Sequence, residues 1–207
     1  MSADTLIFAP YIIPMHDEPT VLTNHALVLR HNRIEAIVPQ ADAVHIPAVS
    51  VFHLDQHVLL PGLINLHGHS AMTLLRGLAD DLALMDWLNQ HIWPAEGRHV
   101  ADDFVFDGTV LAMAEMLRGG TTTVNDMYFY HSAVARAGLQ MGMRTFVGCS
   151  ILEFPTNYAA NAGAYLAQAL DEQSQFRGEE LIRFTLAPHA PYTVADDTFR
   201  AVVAAAE

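Results

Sequence analysis

The sequence predicts an α/β protein: a small β-rich part followed by the first half of a (β/α)8 TIM barrel. Two features carry this prediction. After residue 57, short apolar segments of strand length alternate with longer helical segments, which is typical of a parallel sheet with right-handed helical crossovers. Before that point only short strand-like segments occur. We therefore expect two domains, residues 1–57 and residues 58–207.

The first domain is predicted to contain short strands at 6–13, 26–29, 34–38 and 51–54. His31 and Asn32 lie between the second and third segments and can form a hairpin turn. A part this short forms only a thin core. We expect it to pack against the following domain or to be completed by strands from elsewhere.

The second domain contains four strand–helix units. A complete barrel needs eight units and about 250 residues. We therefore expect the sequence to be the front half of a longer protein, in preference to a complete domain with an open sheet. The predicted strands are 63–66, 122–125, 144–148 and 182–186, and the predicted helices are 71–75, 82–91, 103–117, 132–141, 162–175 and 196–207.

Composition excludes several classes of partner. The 23 acidic residues outnumber the 10 basic ones, giving a formal net charge of −13, which argues against a nucleic-acid partner. The single cysteine, Cys149, excludes an intramolecular disulfide and fits a reducing compartment. No apolar run approaches the roughly 18 residues of a membrane span. These properties predict a cytoplasmic protein without membrane partners.

The segment from Leu59 to Ser70 carries the strongest chemical signal. An apolar strand ends in His67-Gly68-His69. Residues two apart on a strand project to the same face, so both imidazoles can reach one metal ion. Gly68 leaves room for the backbone to pass close to an ion or substrate. The alternative is that both are surface or core histidines that bind no metal.

Other candidates follow the remaining strands, because catalytic groups of such barrels lie at the carboxyl ends of strands. His189 lies between Pro188 and Pro191, which fix the local backbone and preset the direction of the imidazole; a rigid loop with an incidental histidine is the alternative. Asp126 is expected to support the site or to cap a turn. Cys149 is expected to be a packed apolar residue.

Glu96 is ambiguous on residue chemistry alone. A carboxylate in an aromatic loop can accept hydrogen bonds from sugar hydroxyls. Pro94 is expected to end the preceding helix, however, and a solvated acid at a helix start is the simpler interpretation.

Taken together, these segments resemble the amidohydrolase superfamily, and within it the branch of 5-methylthioadenosine and S-adenosylhomocysteine deaminases. The first 57 residues are similar to the β-sandwich domain that precedes the barrel in that family. The segments that carry the resemblance are Pro61-Gly62-Leu63-Ile64-Asn65-Leu66-His67-Gly68-His69, residues 72–81, Trp87-Leu88, residues 92–96, Gly119-Gly120-Thr121-Thr122-Thr123, and Pro188-His189-Ala190-Pro191-Tyr192.

The resemblance implies a single divalent metal, zinc in preference to iron(II), with His67 and His69 as two of its ligands. It implies that Glu96 holds the ribose 2′ and 3′ hydroxyls and that His189 hydrogen-bonds the purine ring. A water activated by the metal would then replace the 6-amino group of adenine. The other ligands and a proton-shuttling glutamate are expected beyond Glu207, so the chain as given is not expected to be a competent catalyst. A homodimer is the expected assembly.

Three functional alternatives remain at this point. The first is a nucleoside deaminase. No arginine or lysine occurs from Thr145 to Asn161, which favours 5′-methylthioadenosine or adenosine over S-adenosylhomocysteine as its substrate. A hydrolase of s-triazines or of another cyclic amidine is the nearest rival, because the His-x-His strand is common to the superfamily. A non-catalytic, truncated half-barrel is the third possibility. Glu96 distinguishes the first two, since a substrate without ribose has no use for it.

Overall fold

The computed structural model describes residues 2–16 and 20–207. The chain divides into two compact units between Pro61 and Gly62, four residues after the predicted boundary. Among the described residues, none of the helices combines the length and the apolarity that a bilayer crossing requires.

The first unit is a mixed sheet. Its strands run in the order β3-β2-β1-β4, and β5 pairs with another part of β1. The first three strands form an antiparallel meander, whereas β4 and β5 pair with β1 in parallel. The elements of this unit are β1 (Ala3–Ile12), β2 (Leu22–Arg30), β3 (Arg33–Pro39), α1 (Gln40–Ala43), β4 (Ala48–His53) and β5 (Val58–Leu59).

The sequence pattern explains this sheet. Side chains of Leu6 and Phe8 lie on one face of β1 and pack against Ala26 and Val28 of β2 in a small core. The predicted hairpin is confirmed: a turn at residues 31–32 joins β2 to β3, and His31 adopts a φ of 51° there.

The second unit is a four-stranded, entirely parallel sheet with the strand order β6-β7-β8-β9. The predicted alternation of strands and helices is confirmed. The strands are β6 (Leu63–Gly68), β7 (Thr121–Tyr128), β8 (Arg144–Ile151) and β9 (Ile182–Pro188). The helices are a 3-10 segment (Ser70–Leu75), α2 (Leu84–Trp87), a π segment (Leu88–Ile92), α3 (Trp93–His99), α4 (Asp102–Arg118), α5 (His131–Met141), α6 (Ala162–Gln175) and α7 (Asp196–Ala206).

One boundary prediction was wrong. Pro94 does not end the helix before Glu96; it occupies the first turn of α3, which continues to His99. Proline is tolerated there because the first N–H groups of a helix have no intrahelical acceptor. Helical backbone continues without a break from Leu84 to His99, and Glu96 lies in the first turn of α3.

Tight packing fixes the segment that follows the His-x-His strand. Gly108 of α4 lies against Ala71, and a Cβ at this glycine would come within 2.6 Å of the Ala71 carbonyl oxygen. Ala71 and Val105 are both fully buried at this contact. The close approach leaves the 3-10 segment after His69 with little freedom to move.

Candidate active site

His67 and His69 lie at the carboxyl end of β6, as the alternation of strand side chains predicts. The centroids of their rings are 4.9 Å apart and the ring planes are almost perpendicular, at 83°. Both residues are exposed, so a ligand can approach them from solvent. The structure thus brings the two imidazoles together on one face.

A backbone carbonyl fixes the tautomer of His69. Its Nδ1 lies 2.6 Å from the carbonyl oxygen of Met127 in the neighbouring strand β7. A carbonyl can only accept, so Nδ1 carries the proton and Nε2 keeps its lone pair. Metal-binding histidines typically donate their second ring N–H to such a partner. His69 is therefore prepared to ligate through Nε2.

Asp126 supports the same turn from β7. Its Oδ1 accepts a hydrogen bond of 2.6 Å from the backbone N–H of Ser70, and the residue is 1% exposed. Its Oδ2 is buried without a hydrogen-bond partner. Burial raises the pKa of this carboxyl, whereas Ser70 and the two histidines act in the opposite direction. The expected supporting role of Asp126 agrees with this geometry.

Glu96 is held by a tyrosine from β7. The Tyr128 hydroxyl donates a hydrogen bond of 2.7 Å to Glu96 Oε1. Partial burial raises the pKa of the Glu96 carboxyl, although the bond from Tyr128 and the nearby His69 oppose that rise. The simpler interpretation of Glu96 as a solvated surface acid does not fit this environment. Glu96 also lines two adjoining cavities, so its carboxylate can meet a ligand.

His189 is oriented by the loop after β9. Thr193 Oγ1 lies 3.1 Å from the Ala190 carbonyl oxygen and 2.9 Å from His189 Nδ1. The hydroxyl donates to the carbonyl and accepts from Nδ1–H, which leaves Nε2 of His189 for a ligand. Partial burial, and secondarily His69, lowers the pKa of His189.

One cavity of about 270 Å³ joins these groups. His69, Glu96 and His189 all line it, and apolar side chains from the helices and loops complete its wall. Such a largely apolar cavity with a few converging polar groups is typical of a small-molecule site. Its remaining lining residues are Met72, Leu84, Trp87, Leu88, Ile92, Trp93, Met127, Tyr128, Phe129, Ser150, Leu152, Phe154 and Thr156.

The loop after β8, residues 152–161, adds residues that sequence reasoning missed. A second cavity of about 340 Å³ adjoins the first and shares five lining residues with it, namely Trp93, Glu96, Phe129, Phe154 and Thr156. Asn157 and Tyr158 of this loop line it. No local pattern marks either residue, because their partners lie far away in the sequence.

The imidazole pair fits a divalent metal in chemistry and geometry. Zinc accepts histidine nitrogen, and His69 Nε2 carries a free lone pair. Within residues 2–16 and 20–207, no group of three or more histidine, cysteine, aspartate or glutamate side chains could hold a metal. The described residues therefore offer two neighbouring imidazoles, His67 and His69, at this end of the sheet.

Comparison with known proteins agrees with this geometry. The model of the amidohydrolase family matches residues 58–207, the part that carries the histidine pair and the parallel sheet.

The chain belongs to the amidohydrolase family.

Two curated relatives of this amidohydrolase are each named 5-methylthioadenosine/S-adenosylhomocysteine deaminase. The one from Saccharophagus degradans is 44% identical over 99% of the chain, and the one from Thermodesulfovibrio yellowstonii is 41% identical over 96% of it. In both cases the match covers 46% of the relative. The chain thus spans about half the length of these relatives. The resemblance predicted from the motifs is confirmed.

Solved structures place the amidohydrolase in the same fold. An adenosine deaminase from Xanthomonas campestris with bound zinc superposes with a TM-score of 0.96 at 46% identity, over 99% of this chain and 47% of that one. An atrazine chlorohydrolase from Arthrobacter aurescens complexed with zinc gives a TM-score of 0.86 at 19% identity, over 98% of this chain and 50% of that one. The second likeness shows the fold alone. The predicted fold class is confirmed.

Proposed function

We propose that this amidohydrolase is a metal-dependent purine-nucleoside deaminase. It removes the 6-amino group of 5′-methylthioadenosine, or of adenosine, and yields the inosine analogue and ammonia. The observation that supports this most directly is the single cavity lined by His69, Glu96 and His189. The names of the relatives from Saccharophagus degradans and Xanthomonas campestris point to the same class of substrate.

Each residue has a distinct role in this proposal. His67 and His69 provide two nitrogen ligands for one zinc ion, and the zinc bound to the Xanthomonas campestris relative favours zinc over iron(II). A bound zinc ion supplies a Lewis acid and an activated water at neutral pH. Glu96 accepts hydrogen bonds from the ribose 2′ and 3′ hydroxyls. His189 hydrogen-bonds the purine ring through Nε2.

The second cavity fits an uncharged group on the ribose. Its lining contains no basic side chain, and Glu96 is its one charged residue. The carboxylate of S-adenosylhomocysteine would find no cation there. We therefore favour 5′-methylthioadenosine and adenosine as substrates.

The proposal also covers the domains, the oligomeric state and the cellular location of the protein. Residues 58–207 would form the first half of the metal-dependent barrel, and residues 1–57 would belong to a β-sandwich domain. The complete enzyme would be a dimer. The unbridged, buried Cys149 supports a cytoplasmic location.

Replacing Glu96 tests the proposal. In the complete polypeptide encoded by the gene, Glu96→Ala should raise the KM for 5′-methylthioadenosine about 10- to 100-fold, because two hydrogen bonds to a charged acceptor are lost. Steady-state deamination assays give this value. A 2′,3′-dideoxy analogue of adenosine is the control, since its KM should hardly change. An unchanged KM for the ribose substrate would contradict the proposal and favour the rival hydrolase of ribose-free cyclic amidines.

A further inference from the structure

We propose that Asn157 is the positioning residue for Glu96, and that it thereby determines how tightly the enzyme holds the ribose of its substrate. The inference rests on the proposed function, because it assumes that Glu96 binds ribose. Asn157 lies in the loop after β8 and is 61 residues from Glu96 in the sequence. It acts through the backbone of α3 and does not itself need to touch the substrate.

The amide of Asn157 binds the carboxyl-terminal end of α3. Its Nδ2 lies 3.0 Å from the Gly97 carbonyl oxygen, 3.2 Å from that of Val100 and 3.5 Å from that of Glu96. The last carbonyls of a helix have no intrahelical donor, so a side-chain amide can satisfy them. Since all three partners are acceptors, the nitrogen of the amide must face the helix.

These hydrogen bonds hold the carboxyl-terminal end of a short helical segment. α3 has seven residues, and its final backbone hydrogen bond runs from the Val100 N–H to the Glu96 carbonyl. Helices of this length owe their order to tertiary contacts. Asn157 therefore fixes the turn of backbone from which the Glu96 side chain projects.

The loop that carries Asn157 is itself firmly anchored. The Tyr158 hydroxyl donates to Glu172 Oε1 over 2.6 Å and accepts from His131 Nδ1 over 3.1 Å. The Thr156 hydroxyl lies 2.6 Å from that of Tyr165. These bonds tie the loop to α5 and α6, so Asn157 connects α3 to a rigid part of the unit.

Glu96 is consequently held from two sides. Tyr128 fixes its carboxylate and Asn157 fixes its main chain. A carboxylate that must meet two adjacent hydroxyls needs both its position and its direction set before the ligand arrives. Loss of Asn157 would leave the bond to Tyr128 intact and would misplace the second oxygen.

Two substitutions separate the hydrogen bonds from the volume of the side chain. Asn157→Ala removes the donors, and we expect the KM for 5′-methylthioadenosine to rise about 3- to 10-fold while kcat changes less. Asn157→Asp keeps the shape but points an oxygen at carbonyl oxygens, so its KM should rise further. Both variants are assayed in the complete enzyme.

Asn161→Ala provides a matched control. Asn161 lies in the same loop, and its side chain caps α6 by accepting from the Ala164 N–H over 3.0 Å. Its removal costs helix stability without touching α3. We expect a lower melting temperature and an unchanged KM for this variant, which separates a general loss of loop order from the effect on Glu96.

A double-mutant cycle with Glu96→Ala tests whether Asn157 acts through Glu96. If Asn157 acts through Glu96, then Asn157→Ala should add little to the KM in the Glu96→Ala background, and it should hardly affect the 2′,3′-dideoxy substrate. Additive effects in the cycle, or an equal rise with both substrates, would overturn the role of Asn157 and leave the proposed function standing. An unchanged KM in Glu96→Ala alone would overturn both.

Discussion

Asp126 is a buried acid with only one of its two carboxylate oxygens hydrogen-bonded. It receives the Ser70 N–H on one oxygen, while the other is buried without a partner. A metal bound by the nearby His67 and His69 would place a positive charge close to Asp126 and offset the cost of burying its carboxylate.

We expect Asp126→Asn to weaken zinc binding about 10- to 100-fold, because a neutral amide still accepts from Ser70 but offers no charge. Competition titrations with a chromogenic chelator measure this affinity without an activity assay. Asp103→Asn, at an exposed site in the first turn of α4, removes the same charge and is the control. Equal zinc affinities for the two variants would show that Asp126 is not coupled to the metal.

The sequence revealed some of these residues and concealed others. The histidine pair follows from the two-residue repeat of a strand, which is a local property. Glu96 looked like a solvated acid until the family motif was considered, because its partner Tyr128 is 32 residues away. Asn157 has no motif at all, and only the folded chain brings it to α3.

At the level of elements, α5, α6 and the loop after β8 meet at a buried polar cluster. His131 at the start of α5 is fully buried and contacts Tyr158 and Glu172. Burial lowers the pKa of His131 from 6.5 to about 4, although the charge of Glu172 opposes this shift. Burial also raises the pKa of the nearby Cys149 thiol, which agrees with its expected role as a packed apolar residue.

This cluster should make stability depend on pH. Between about pH 6.5 and pH 4 the unfolded chain binds a proton at His131 that the folded chain does not, so stability decreases as the pH falls. We expect a loss of about 2 kcal/mol by pH 5 from this residue. Denaturant unfolding at several pH values measures it.

His131→Asn provides the comparison for that experiment. The asparagine amide can still donate to Tyr158 but has no proton to gain, so its unfolding free energy should vary less between pH 7 and pH 5. The exposed His99→Asn should behave like the wild type. A pH dependence in His131→Asn as steep as in the wild type would assign the effect to other groups.

The periodicity of the sequence located every strand of the parallel sheet, but it placed each carboxyl end too early, by two residues in β6 and β9 and by three in β7 and β8. The strands extend through residues such as His67, Asp126 and Ser150, where polar side chains interrupt the apolar pattern. The error at Pro94 has a similar cause, since a proline in the first turn of a helix resembles one that ends a helix.

At the level of the whole molecule, the charge of the chain bears on the substrate that we propose. The chain has a net charge of −13 and contains arginine but no lysine. We expect the complete enzyme to have a clearly higher kcat/KM for 5′-methylthioadenosine than for S-adenosylhomocysteine, by about tenfold or more, because a missing charge-assisted bond costs about 1.5 kcal/mol or more. Parallel assays of the two nucleosides provide the test. Comparable values would place a cation for the amino-acid tail elsewhere in the protein.

The exposed face of β6 explains why the sheet could be predicted more fully than the site. Leu63, Ile64 and Leu66 are apolar yet 56%, 62% and 75% exposed. Their hydrophobicity marks a strand that is normally covered on both faces, and this is visible in the sequence. A residue such as Asn157, whose contacts lie far away in the sequence, leaves no such mark.

The hydrogen bond between His69 and the Met127 carbonyl makes the orientation of the imidazole independent of the side chain at position 127. The acceptor is a peptide carbonyl, which every amino acid at position 127 would provide, and Met127 also lines the cavity. Substitution at this position can therefore change the shape of the cavity while the imidazole keeps its proton where ligation requires it. Position 127 is therefore where we expect substitutions to alter substrate preference without disturbing the orientation of His69.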